Sequence, residues 1–207
     1  KSKILNTNLK SNFEYDGKTL KIYNSYLRSK NLSFKSDSEI IISPYLNIKS
    51  KLIVEEFNTQ IFKKINFNEF NKFKKLLKKI NSKKEIIFVS KKFDQKFFGD
   101  LNLKVNLAYG RLSYSKKFLF AKNIIQCDGS INFLEDFPLL FFDCFVEAES
   151  KREFLKKFSI KTKNKNESLK LKAKGNLSIV NRKVNFKNIS MNERYNASEE
   201  DLKYYKE

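Results

Sequence analysis

Apolar and polar residues alternate along most of this chain. From Lys3 to Tyr15 the apolar and semi-apolar residues fall on odd positions, a period of two that predicts a strand with one buried face. Asp16-Gly17 follows as a turn sequence, and Leu20 and Ile22 continue the alternation beyond it. Further short strand patterns extend to Val54, so residues 1–60 are expected to form an antiparallel meander.

One segment near the middle changes to a helical period. Its apolar positions are Phe70, Phe73, Leu77 and Ile80. Asn66 and Glu69 form a capping box before them, which predicts an amphipathic helix within residues 61–85. The positions that would meet an anionic surface are Lys72, Lys75 and Lys79. A helix packed on a sheet through its Phe side chains has the same pattern, so both interpretations stay open.

Strand patterns return at residue 86 and continue to residue 190. The clearest alternation has these apolar positions: Leu101, Leu103, Val105 and Leu107. Phe118 to Gln126 predicts another strand, and Asp128-Gly129 predicts a turn after it. Leu139 to Val146 is apolar on both faces, which is typical of a strand covered on both sides or facing an apolar ligand on one.

Two short helices and a last hairpin complete the pattern. Ser150 with Glu153 is a capping box that predicts a helix over residues 150–158. Leu169 to Phe186 alternates around a turn at Asn181-Arg182, and Ser198 opens a helix over residues 198–207. The expected fold is therefore mainly β (α+β). It is an extended, curved antiparallel sheet of hairpins and meanders with two or three short amphipathic helices, in one region spanning residues 1–207.

Charge raises the question of an anionic partner. The chain has 43 Lys+Arg against 23 Asp+Glu, a net charge of +20, and nearly all of the excess is lysine. The lysines are spread along polar faces, whereas nucleic-acid modules more often show clustered Arg or aromatics inside a defined motif. This disfavours nucleic acid and favours a solvated lysine surface, with anionic lipid headgroups as a further candidate partner.

The composition excludes several catalytic classes. Without His, this chain cannot supply Ser-His-Asp or Cys-His catalysis or a His-ligated zinc site. It contains no P-loop, GxGxxG or GxSxG motif. We therefore expect no enzyme, no catalytic residues, no metal site and no cofactor. Cys127 and Cys144 are too few to ligate a metal, and buried thiols or one disulfide both explain them.

Two segments of the chain echo each other. Gly99 to Leu103 leads to Phe120 to Ile124, and Gly175 to Ile179 leads to Phe186 to Ile189, each as Gly-x-Leu-x-aliphatic followed by an aromatic and Asn-Ile. On these strand pairs, and on the alternating strands from Tyr15 to Val54, the sequence resembles the AsmA-like family of envelope proteins. The resemblance covers about half of the chain and includes no catalytic motif.

The resemblance implies a long β-sheet with an apolar inner surface, anchored at the bacterial inner membrane and reaching into the periplasm. It implies a non-enzymatic role in outer-membrane assembly or in phospholipid transport between membranes, with acyl chains as ligand. Membrane surfaces and other envelope proteins are further candidate partners. The side chains expected to line the lipid groove are Leu101, Leu103, Val105, Leu107, Phe142, Val146, Leu171 and Leu177.

Two alternatives to this function remain. One is a basic module that binds nucleic acid or an anionic surface through the lysine face of the helix. The other is a purely structural domain, in which the two Phe-rich helices fill the apolar face and complete an ordinary α+β core. Because Lys1 opens the sequence and the last helix is cut short, we also expect this chain to be a fragment whose anchor lies outside it.

Overall fold

The computed structural model describes residues 2–4, 7–30, 32–57, 70–88, 98–120, 123–161 and 167–204. These residues form one 13-stranded sheet in which the strands lie side by side in chain order. The prediction of a mainly β fold built from hairpins and meanders is confirmed. The first strands are β1 (Ser2–Ile4), β2 (Thr7–Tyr15), β3 (Thr19–Arg28), β4 (Leu32–Ile41) and β5 (Asn47–Phe57). The next are β6 (Asn81–Phe88), β7 (Phe98–Ala108), β8 (Arg111–Phe120) and β9 (Asn123–Asn132). The last are β10 (Leu139–Ala148), β11 (Leu169–Ser178), β12 (Val184–Met191) and β13 (Tyr195–Asn196).

One pair of strands departs from the antiparallel prediction. β5 and β6 are parallel, with Asn47 paired to Asn81 and Val54 paired to Phe88. Parallel neighbours need a long crossover, and the segment between them includes helix α1 (Phe70–Leu77). The other strand pairs of the described chain are antiparallel, so the sheet is mixed rather than wholly antiparallel.

Three boundaries differ from the sequence predictions. The helix predicted within residues 61–85 ends at Leu77, and Lys83 and Lys84 lie in β6, because residues 81–88 pair with β5 on one side and β7 on the other. Its capping residues lie outside the described part of the chain. Phe118 to Gln126 is divided between β8 and β9. Asp128-Gly129 is not a turn but lies inside β9, where the missing side chain of Gly129 makes room for a neighbouring ring.

The other two helices begin where their caps predict. In α2 (Lys151–Lys156) the Ser150 hydroxyl accepts a hydrogen bond from the backbone N–H of Glu153. α3 (Glu199–Tyr204) starts after Ser198, whose hydroxyl accepts from the Asp201 N–H at 3.1 Å while the Asp201 carboxylate accepts from the Ser198 N–H at 2.9 Å. Both capping boxes bind backbone donors that a helix start otherwise leaves unpaired.

The two echoing segments do not occupy equivalent positions. Phe120 ends β8 and Asn123 begins β9, whereas Phe186 and Asn188 both lie within β12. Gly99 opens a strand while Gly175 lies near the end of one. The similarity of the two sequence phrases therefore does not correspond to a repeated structural unit.

The buried core lies under α2, where β8 and β10 end and β11 begins. Phe154 of α2 packs with Phe120, Ala148 and Leu169. The Phe154 ring centroid is 6.1 Å from that of Phe120, and the Phe158 ring stacks on Phe120 at 5.3 Å. In the described residues seven apolar side chains are buried, so most apolar positions of the sheet are only partly covered.

Candidate functional site

One face of the sheet is apolar across eleven consecutive strands. Directly paired residues point to the same side of a sheet, so the strand register shows which side chains share a face. From β2 to β12 one row of paired positions is apolar at every strand: Leu9, Leu27, Phe34, Val54, Phe88, Leu101, Phe118, Ile125, Val146, Leu171 and Met191. At the usual strand spacing this row is about 48 Å long. We call this side the apolar face.

The register places all eight predicted groove residues on the apolar face. Leu101 pairs with Phe118, and Val105 pairs with Tyr114. Val146 pairs with Leu171, and both pack against the core under α2, so these two are partly covered by the protein itself. Leu101, Leu103, Val105 and Leu107 of β7, with Phe142 and Leu177 further along the sheet, lie outside this core cluster.

Between the apolar rows the middle of this face carries small residues. At β9 and β11 these are Gly129 and Gly175, and aromatic rings lie over them. A Cβ on Gly129 would come within 2.6 Å of the Tyr114 hydroxyl oxygen, and one on Gly175 within 2.7 Å of Phe142 Cζ. The Phe142 ring in turn meets Phe186 edge to face at 5.8 Å. The glycines therefore let aromatic rings lie flat along the sheet.

At β3 to β5 the same middle zone carries serines that bond to each other. The Ser25 and Ser36 hydroxyls are 2.8 Å apart, and the Ser38 hydroxyl donates to Ser50 at 3.0 Å. These cross-strand pairs satisfy the hydroxyl groups without charged partners. The polar groups of this zone are therefore occupied within the sheet.

Two lysines stand on the apolar face. Lys84 of β6 pairs with Ser50 and Val105, and Lys116 of β8 pairs with Leu103 and Cys127. Among the described residues neither ammonium group has a carboxylate within ion-pair distance. Lys116 Nζ lies 5.6 Å from the centroid of the Phe118 ring, and burial lowers the pKa of Lys116. Lys84 is exposed, so water can hydrate its ammonium group, whereas the partly buried ammonium group of Lys116 has a desolvation cost that an anionic ligand would offset.

Sequence reasoning missed these two lysines. The sequence predicts Lys84 within the helical segment of residues 61–85 and Lys116 on the solvated lysine surface. Their positions in the sequence place both lysines on the apolar face. Ile86 lies two residues after Lys84 and Phe118 two residues after Lys116, and residues two apart in a strand point to the same face. A lysine in the apolar phase of a strand is thus the pattern that could have identified them.

Cys127 and Cys144 form a disulfide on the apolar face. They are direct partners on the adjacent strands β9 and β10, with Cα atoms 4.1 Å apart. Lys116 and Ala173 flank the pair on the neighbouring strands. Of the two interpretations left open by the sequence, the structure has the bonded one.

A groove of about 870 Å³ crosses the sheet from β3 to β8. Three successive residues of each strand line it, and only the middle one of each three belongs to the apolar face. Val105 is the one predicted groove residue among them. The charged lining residues of the opposite, polar face are Lys21, Asp37, Glu39, Lys49, Lys51, Lys83, Glu85 and Lys104. Two of every three lining residues point to the polar face, so this groove differs from the apolar trough that the sequence predicted.

Charged groups of the polar face are partly paired. Lys49 lies 3.7 Å from Glu39, and Lys174 lies 2.7 Å from Asp143 on the adjacent strand. Exposed pairs of this kind add little stability. The apolar strand β10 thus places its single Asp, Asp143, on the polar face, where it forms an ion pair with Lys174.

The basic face of α1 is only partly described. Lys75 and Lys79 are exposed, and the side chain of Lys72 lies outside the described residues. Lys74 instead forms an ion pair with Asp136 at 3.0 Å, which places α1 next to the loop between β9 and β10. The three predicted surface lysines are therefore not shown to act together.

Neither a metal site nor a membrane-spanning helix is found in the described ranges. They hold no group of three or more Cys, Asp or Glu side chains that could bind a metal ion. None of their helices has the length and hydropathy to cross a bilayer. Comparisons with protein-family models, with curated proteins and with solved structures find no match for this chain.

Proposed function

We propose that this chain is a non-enzymatic lipid-binding module whose apolar face holds the acyl chains of phospholipids. The observation that carries the proposal is the unbroken apolar row from Leu9 to Met191. A face of this length exceeds the apolar patches that soluble monomers usually expose. In the described chain α2 covers only the end around Phe154, so an apolar ligand would complete the remainder.

Lys84 and Lys116 suit the same ligand. An amphiphile with an anionic headgroup brings acyl chains for the apolar rows and a phosphate for the two ammonium groups. The neutralising charge would offset the cost of placing Lys116 among Leu103, Phe118 and the disulfide. Free fatty acids share part of this chemistry, but a phosphate offers more oxygen acceptors to ammonium groups than a carboxylate does.

The cellular role follows from the AsmA-like resemblance and is proposed with it. In this role the chain belongs to an envelope protein of bacteria, lies on the periplasmic side of the inner membrane, and serves outer-membrane assembly or phospholipid transfer between membranes. A disulfide between Cys127 and Cys144 suits an oxidising compartment such as the periplasm.

Binding of a fluorescent acyl probe tests the proposal. We expect saturable binding by the wild-type chain and a loss of about tenfold or more in the Leu103→Lys variant, because a charge there would lie among acyl chains. Ser113→Lys is the matched control, since it adds the same charge on the exposed, polar side of β8. Absence of saturable binding, or equal binding by both variants, would refute the acyl-chain site.

The polar face supports a second candidate. The cations of this face that line the groove are Lys21, Lys49, Lys51, Lys83 and Lys104, against three carboxylates, which suits an anionic polymer or surface. This candidate predicts an affinity for single-stranded nucleic acid that falls steeply with salt. A flat salt response, or no binding at low salt, would eliminate it.

A further inference from the structure

One edge of the sheet carries an exposed apolar side chain at each of five turns. The loops between β2 and β3, β4 and β5, β7 and β8, β9 and β10, and β11 and β12 all lie at this edge, as the strand register requires. We call it the turn edge. Its exposed apolar residues are Tyr15, Ile42, Tyr45, Tyr109, Phe137 and Val180.

Two of these residues are largely exposed to solvent. Phe137 is 77% exposed and Tyr45 is 71% exposed, and among the aromatic residues within the described strands Phe13, at 69%, comes close to them. Tyr109 is 51% exposed and has a positive φ of 50°, a backbone conformation that a bulky side chain rarely adopts. A large ring is thus kept at a turn position where Asn or Gly would fit the backbone better.

The described turns at the opposite edge of the sheet are different. The loop between β3 and β4 has Ser29 and Lys30, and the loop between β12 and β13 has Asn192, Glu193 and Arg194. The α2 connection at that edge also carries apolar side chains: Phe154 is buried against Phe120, Phe158 stacks on Phe120 but is 52% exposed, and Ile160 is 51% exposed. Among the described turns, the turn edge therefore has an exposed apolar residue at each of five loops, whereas at the opposite edge such residues lie in the α2 connection and at Tyr195 beside the last loop.

Cations accompany the apolar residues at three of the five turns, whereas Phe137 directly follows Glu135 and Asp136. Lys18 follows Tyr15, Arg111 follows Tyr109, and Arg182 and Lys183 follow Val180. The C-terminal end of α1, with exposed Lys78 and Lys79, enters the sheet at the same edge. Two of the acidic groups there are already engaged, since Asp136 pairs with Lys74 and Asp16 accepts hydrogen bonds from the N–H groups of Lys18 and Thr19.

We propose that the turn edge docks side-on against a lipid bilayer with anionic headgroups. Its five turns span about nine strand spacings, so the apolar residues form a line about 40 Å long and not one compact patch. Protein interfaces need a continuous, well-packed area, which separated tips do not offer. The fluid interface of a bilayer accommodates single Tyr and Phe rings and attracts the neighbouring cations.

This docking is independent of acyl-chain binding on the apolar face. The proposed site involves the ends of the strands, whereas the lipid-binding rows lie along their length. Vesicle attachment and soluble-probe binding therefore report on two different surfaces, and either can fail alone.

The absence of Trp from the chain allows a direct test. Phe137→Trp creates a single fluorescent reporter at the turn edge, and Phe141→Trp creates a matched reporter on the polar face of β10. With vesicles of phosphatidylcholine and phosphatidylglycerol, we expect a blue shift and quenching by acyl-brominated lipids for Phe137→Trp only. Equal responses at both positions would show general adsorption of a basic protein, and no response at Phe137→Trp would show that the edge stays in water; either result overturns the proposal.

Co-sedimentation with the same vesicles provides a second measurement. The triple variant Tyr45→Ser, Tyr109→Asn and Phe137→Ser removes three rings from exposed sites, and Asn suits the positive φ at residue 109. Its vesicle affinity should fall by about tenfold or more, because three rings no longer bury apolar surface in the bilayer interface. Unchanged vesicle affinity, or loss of a dimer instead of vesicle binding in sedimentation experiments, would overturn the docking.

Discussion

The Phe142 ring lies over Gly175 on the adjacent strand, so that a Cβ at Gly175 would stand 2.7 Å from Phe142 Cζ. The two residues are direct partners in the register of β10 and β11. Tyr114 and Gly129 repeat the arrangement two strands away. The glycines allow close approach of aromatic rings from the neighbouring strands, so these rings occupy the middle of the apolar face.

Gly175→Ala should therefore destabilise the sheet. The methyl group would meet the Phe142 ring and the Asn185 carbonyl oxygen, so we expect a loss of about 1–3 kcal/mol in the free energy of unfolding. Denaturant unfolding measures this loss. In a Phe142→Ala background the same substitution should cost less by about 0.5 kcal/mol or more, because one of the two obstacles is gone. Equal costs in both backgrounds would show that the ring does not lie over the glycine.

Lys116 should make stability depend on pH. Burial holds its folded-state pKa below the ordinary value of 10.5. Below the folded-state pKa both states bind the proton, and the charged group carries its full burial cost. Between that pKa and 10.5 the unfolded chain binds more protons, so the wild-type chain gains stability as pH rises through this window.

Lys116→Met consequently should raise the free energy of unfolding at pH 7 by about 1 kcal/mol, and this gain should shrink as pH approaches the ordinary lysine value. The groups on the same face near Lys116 are Lys84 and Tyr114, which the variant leaves in place. Lys117→Met, on the polar face of the same strand, should change stability by less than about 0.5 kcal/mol at either pH. A gain that does not vary with pH, or one equal to that of the control, would contradict the burial of Lys116.

The disulfide should stabilise the center of the sheet. Cys127 and Cys144 are 17 residues apart, and closing a loop of that length restricts the unfolded chain by about 3 kcal/mol. We expect the Cys127→Ala, Cys144→Ala double variant to lose stability on that scale. Mass spectrometry after alkylation in denaturant should find no free thiol in the oxidised wild-type chain. Two alkylated thiols without added reductant would show that the bond is absent.

The face of each strand was predictable, while several connections were not. The alternation Leu101 to Leu107 identified its own strand and the side of the sheet on which it lies, because the pleat has a period of two. The parallel pairing of β5 with β6 depends on a crossover between distant residues, which local patterns do not encode. Asp128-Gly129 was mistaken for a turn, since the close approach of Tyr114 to Gly129 is visible only after the strands are paired.

The candidate site, like the fold, was predictable only in part. Alternation predicted which residues share the apolar face, including Leu103, Phe142 and Leu177. It did not predict that Val146 and Leu171 would pack under α2, because helix docking depends on the loops around it. The turn edge was also not predicted, because only the strand register shows that these exposed turn residues lie at the same edge of the sheet.

Native mass spectrometry of the chain, produced in bacterial cells and purified without detergent, tests the central claim most directly. We predict bound phospholipid in a fixed stoichiometry, retained by Ser113→Lys and lost from Leu103→Lys. A bare mass for the soluble wild-type chain, with no adduct after incubation with short-chain phospholipid, would contradict the proposal that the apolar face binds lipid.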